Sequence, residues 1–123
     1  MLRVSHNTFV NYKWTPAWFL RVFDEGMSPA PEVMAVNNLL VGPGVFWLGA
    51  PGHFAGNRPA TLGMLRDAET YAFELAPGSV WRGSGVDPRA LAGHDLAPKA
   101  EFEWPVGTRV LPADTTSWSP GAF

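Results

Sequence analysis

Residues 33–57 read VMAVNNLLVGPGVFWLGAPGHFAGN, without one Asp, Glu, Lys or Arg. Such a stretch can cross a membrane, form the core of a sheet, or dock on a partner. A spanning helix needs about 20 predominantly apolar residues whose backbone groups are all bonded within the helix. Here Asn37 and Asn38 come early, and Gly42-Pro43-Gly44 sits in the middle, where proline removes an N–H between two flexible residues. With period 2 instead, residues 33–41 and 45–49 are two runs rich in Val, Leu, Phe and Trp, which predicts a hairpin turning at Gly42-Pro43-Gly44. Its arms are apolar on both faces and should be covered on both sides. What covers the second face is then a question about function.

The 123 residues predict a single domain, 1–123, with an N-terminal arm over 1–31, a β-rich core over 32–111 and a C-terminal tail over 112–123. Net charge is -2 and only 16% of residues are charged, so a nucleic-acid footprint is excluded as an expectation. Cys is absent, which removes disulfides, thiolate chemistry and Cys-ligated zinc. The 13 Gly and 12 Pro predict many loops, yet 6 Trp and 8 Phe set the chain apart from disordered sequences. A secretory signal is not expected, since Lys13 and Arg21 interrupt the start and the apolar block lies far from it. Arg3, Lys13 and Arg21 precede the first acid, Asp24, and this basic opening resembles an organelle transit segment in composition.

WTPAWFLRVFDEG predicts one short helix, with Thr15 as its cap, Pro16 in the first turn and Gly26 as its stop. Its apolar surface wraps most of the circumference, so packing must hold it. A single helical turn is expected over 87–93. TLGMLRD with TYAFEL, and EFEW with TRVLP across Pro105-Val106-Gly107, predict further strands. The fold class that follows is mainly β, a small barrel or sandwich of hairpins with one short N-terminal helix and extended terminal arms.

For chemistry the sequence offers little convergence. His6, His53 and His94 lack metal-ligand spacing, the Gly-rich block lacks a phosphate-loop pattern, and no cofactor or metal is expected. Glu101-Phe102-Glu103 followed by Pro105-Val106-Gly107-Thr108 resembles the closing E-x-E strand and P-x-G-T turn of arginine-specific ADP-ribosyltransferases. That resemblance implies Glu103 as catalytic carboxylate and Arg82 as the NAD-anchoring arginine. The Ser-Thr-Ser element of that family is missing from residues 84–100. The many Trp residues also fit a carbohydrate-binding module with a stacking platform. The leading expectation is a non-catalytic structural or accessory subunit of a large assembly, a virion decoration protein or part of a membrane-bound complex. In composition and strand style the chain resembles compact phage-head decoration proteins. Its partners would be other subunits, copies of itself included, and the residues expected to meet them are Trp14, Trp18, Phe19, Phe23, Trp47, Trp118 and Phe123.

Overall fold

A computed structural model of the chain describes residues 1–89, 91 and 93–123. The fold is built on one short pattern that occurs three times: Ser5-His6-Asn7, Val36-Asn37-Asn38 and Ala55-Gly56-Asn57. In each triplet the middle residue is left-handed, with φ of 53° at His6, 53° at Asn37 and 66° at Gly56. That residue turns the chain sharply between two strands. β1 (Leu2–Ser5) turns into β2 (Thr8–Val10), β4 (Val33–Val36) into β5 (Leu39–Val41), and β7 (Gly52–Ala55) into β8 (Arg58–Ala60).

The three corners stack. Asn7 Nδ2 and its backbone N–H donate to Asn38 Oδ1 at 3.1 and 3.0 Å, and Asn38 Nδ2 and N–H donate to Asn57 Oδ1 at 2.8 and 3.0 Å. Asn57 Nδ2 donates to the Ala35 carbonyl at 2.7 Å. An amide carries both donor and acceptor, so one Asn per level satisfies the next without leaving a buried polar atom idle. Gly56 is needed at its level because a Cβ there would stand 2.0 Å from Asn37 Oδ1.

Strands above and below these corners pair in parallel, β1-β4-β7 in one sheet and β2-β5-β8 in a second. The third sheet pairs β3 (Ala17–Val22) with β6 (Gly44–Gly49), also in parallel. The chain therefore winds through three sheets in the same order, a short β-solenoid. Its repeats are unequal: Leu2 faces Val33 and Val33 faces Gly52, so the first turn of the winding takes up more chain than the second. After β8 a 3-10 turn at Leu62–Met64 leads away into an antiparallel hairpin of β9 (Leu65–Asp67) and β10 (Ala72–Leu75). A second hairpin joins β11 (Ala100–Phe102) and β12 (Thr108–Val110).

The middle level is the core. Val33, Met34, Ala35, Val36 and Val41 have no exposed surface, so two-sided cover holds for residues 33–41, but not for 45–49, where Val45 and Leu48 are exposed. On one side Leu39 and Val41 pack with Ala60, Leu65 and Leu75, and Phe73 and Trp81 close over them. Against the first sheet, Asn37 exchanges two hydrogen bonds with Val86 at 2.8 and 2.9 Å, and Gly121 N–H donates to the Asn37 carbonyl at 2.8 Å.

Four expectations change. The predicted hairpin does not form, because β4, β5 and β6 belong to three different sheets and find parallel partners one level away. The predicted N-terminal helix is strand β3: Trp, Phe and Val suit a pleated surface, and β6 supplies the backbone partners that so short a helix could not supply itself. Residues 2–22 hold the first strand of every solenoid sheet rather than an extended arm. Among the described residues the sheets close into neither barrel nor sandwich of hairpins. The helical turn expected over 87–93 takes in Ala90 and Ala92, which lie outside the described residues. TYAFEL supplies β10, which pairs with β9 from TLGMLRD, and the pairing expected of EFEW with TRVLP is present as β11-β12.

Candidate docking surface

The first two solenoid sheets have three strands and the third has two. The chain leaves the solenoid after β8, so among the described residues no strand follows β6 on the third side. Both ends of β6 are glycine because the backbones come close: a Cβ at Gly44 would meet the Ala17 carbonyl oxygen at 2.3 Å, and one at Gly49 the Val22 oxygen at 1.8 Å. In register, Trp18 faces Val45, Leu20 faces Trp47 and Arg21 faces Leu48.

This small sheet is wet and apolar at once. Trp18 is 56% exposed, Val45 52%, Leu48 40% and Phe23, just past β3, 58%. The Arg21 guanidinium carbon lies 4.9 Å from the Trp18 ring centre and 4.2 Å from that of Phe23, so the cation covers both rings. Phe54 joins from β7, its ring 5.8 Å from Phe46 and 4.9 Å from Trp47. Under the sheet, Phe19, Phe46, Leu40 and Pro59 line an apolar cavity of about 220 Å3.

Of the residues expected to meet partners, Trp18, Phe19, Phe23 and Trp47 come together here, and Trp14 stands in the loop leading into β3 with 89% of its surface in water. Trp118 and Phe123 lie elsewhere. Trp118 is 7% exposed, its ring 5.7 Å from His6, and Phe123 stands edge-on to Phe102 at 5.3 Å. Val45, Leu48, Arg21 and Phe54 belong to the patch and were not anticipated. For Val45 and Leu48 the signal was the charge-free run GVFWLG itself, read as a hairpin arm instead of an unpaired edge, and Arg21 and Phe54 lie outside it.

His6 is hydrogen-bonded on both ring nitrogens. Asn37 Nδ2 donates to Nε2 at 3.1 Å, while Nδ1 meets Ser5 Oγ at 2.8 Å and that hydroxyl donates on to the Leu96 carbonyl at 3.2 Å. The chain of bonds places the proton on Nδ1, since Nε2 faces an amide N–H₂. Burial lowers the His6 pKa to about 4. The neutral ring is thus favoured in the folded state, and the unfolded chain takes up a proton first as pH falls below about 6.5. Stability should be full above that pH and fall between about 6.5 and 4 by about 2 kcal/mol, with little further change from His6 below 4. Urea midpoints across this range check the expectation, and His6→Gln should flatten the slope.

The residues implied by the ADP-ribosyltransferase resemblance, Arg82 and Glu103, line one cavity of about 340 Å3 between the two hairpins. Arg66 pairs with Glu74 and Arg109 with Glu101 across the hairpin strands. Arg82 is spent on the backbone, its Nε and Nη2 donating to the Leu75 carbonyl at 3.3 and 2.9 Å. His53 bonds Glu32 at 3.0 Å and His94 meets Arg3 at 2.9 Å. Among the described residues no three His, Asp or Glu gather as metal ligands, and no helix is long and apolar enough to cross a membrane.

No family model, curated protein or solved structure matches the chain.

Proposed function

We propose that the chain is a structural subunit of a larger protein assembly, docking through the two-stranded sheet β3-β6. The observation that carries this reading is that one solenoid side stops a strand short and leaves Trp18, Phe23, Val45 and Leu48 about half in water on or beside one two-stranded sheet, Trp18 and Val45 on one of its faces and Leu48 on the other. Contiguous apolar surface rimmed by charge marks a contact site on proteins of this size. Trp and Arg are the residues that dominate binding at such sites. A virion decoration protein and an accessory subunit of a membrane-bound complex both fit a small module of this kind. Sugar stacking is less well served, because the Trp18 ring is already under the Arg21 guanidinium.

In material from its native source the 13.4 kDa chain should sediment with a particle many times its mass. Replacing Trp18 and Phe23 by Ser should release it while moving the thermal midpoint of the isolated chain by no more than about 4 °C, since both side chains are largely exposed. Sedimentation of the native chain by itself would remove this reading, as would variants that stay with the particle.

A further inference from the structure

We infer that what covers this sheet is a second copy of the same chain, joined by antiparallel pairing of the two β6 edges across a twofold axis normal to the sheet. The proposal deepens the docking reading above and rests on it.

Among the described residues β6 has one strand neighbour, β3, so its other edge carries free backbone N–H and C=O groups along the whole strand. At the usual rise that edge is about 20 Å long. Proteins protect such edges with charge or proline. Each strand follows a proline, Pro16 before β3 and Pro43 before β6, but β3 carries the charge of Arg21 whereas GVFWLG carries none. The unguarded strand is the one at the level where the neighbouring sheets go on to β7 and β8.

The charges at its two ends select the occupant. Lys13 lies in the loop that enters the sheet at the Ala17–Gly44 end, a loop tied there by Asn11 Nδ2, which donates to the carbonyls of Thr15 at 2.9 Å and Pro43 at 2.8 Å. Asp24 and Glu25 lie at the opposite end, lining a cavity of about 260 Å3 with Arg21, Leu48 and Gly49, so that end carries two acids against one base. Among the described residues Lys13, Asp24 and Glu25 take part in no ion pair. Antiparallel pairing of two copies brings Lys13 of each toward Asp24 and Glu25 of the other. Parallel pairing would bring like charges together. Self-pairing satisfies both ends at once, and the closed twofold leaves as outer edges only the two β3 strands, each bearing Arg21. Successive side chains alternate between faces, so the joined sheet carries Val45 and Trp47 from both copies on one face and Phe46 and Leu48 on the other.

Sedimentation equilibrium of the purified chain should give twice 13.4 kDa. Leu48→Lys should weaken the dimer at least about tenfold, and Val45→Lys, at a position 52% exposed, should do the same if Leu48→Lys disturbs the fold. Lys13→Glu should weaken it about threefold at low salt, and adding Asp24→Lys with Glu25→Lys should restore it. A monomer at every concentration overturns the proposal, and so does a dimer indifferent to both lysine variants. A dimer that the charge exchange fails to restore overturns the antiparallel arrangement. If the isolated chain is a monomer yet the native chain sits in a large particle, a strand from another protein occupies β6 and the docking reading survives. If it dimerises and the native material holds nothing larger, the dimer stands and the assembly role falls.

Discussion

Asn38→Leu should leave the chain largely unfolded at 37 °C, with a thermal midpoint about 20 °C below that of the parent. Leu keeps the branching of Asn but is bulkier, so overpacking at this buried site adds to the polar loss. Asn38 is completely buried, and its side chain accepts from Asn7 N and Nδ2 while donating to the Val4 carbonyl and to Asn57 Oδ1. Removing it strands donors and acceptors on three other residues at the centre of the stack. The Val4 carbonyl loses its side-chain donor and Asn57 Oδ1 one of its two, and each buried group left unpaired costs about 1 to 3 kcal/mol, a large share of a small domain's stability. Asn7 supplies the contrast. It is exposed at the end of the stack, so water replaces what Asn7→Leu removes, and that midpoint should fall by no more than about 5 °C. Circular dichroism melts of the two variants decide the matter. Equal losses would mean that the corners do not act as one stack.

Deleting residues 118–123 should lower the midpoint by about 15 °C. The sequence alone favoured the opposite result, a tail that packs on a neighbouring chain and adds little to its own domain. In the structure Trp118 is buried within its own chain. The Gly85 N–H donates to the Trp118 carbonyl at 2.8 Å, and the Gly83 N–H to Ser119 Oγ at 2.9 Å. Large-to-small replacement of a buried Trp costs about 3 to 5 kcal/mol before the backbone bonds are counted. Trp118→Phe is the companion measurement. The Trp118 Nε1–H is buried without an acceptor among the described residues. Phe keeps most of the ring and deletes that idle donor, so this change should be nearly neutral in a melt where the truncation is severe. A truncated chain that melts with the parent would put the tail outside the fold.

The apolar run, the burial of residues 33–41 and the hairpin across Pro105-Val106-Gly107 were legible because period-2 patterns and Pro-Gly turns are local signals. The solenoid was not, although its mark is present in Ser5-His6-Asn7, Val36-Asn37-Asn38 and Ala55-Gly56-Asn57. Asn7, Asn38 and Asn57 are unevenly spaced and carry no fixed period, and only that one position repeats without change. Parallel pairing also hides its partners, since each strand bonds to a segment a whole turn away instead of to its sequence neighbour. Residues 15–26 show the same limit. Thr15, Pro16 and Gly26 are fair helix boundaries, but the β6 backbone lying beside Trp18 and Leu20 decided otherwise. The docking patch was half legible: Trp18, Phe19, Phe23 and Trp47 stood out as excess aromatics, while their gathering on one unfinished sheet depended on where the chain leaves the winding.

The hydrogen bond from the Ala122 N–H to Thr8 Oγ1, at 3.1 Å, joins the two ends of the sequence. Neighbouring levels of the winding can zip together as soon as about 20 to 30 residues have followed a strand, a cheap closure in chain entropy. The first level, by contrast, keeps this flank open until a partner 114 positions away along the chain docks on it, so this clasp closes the longest loop and should be the slowest contact to find.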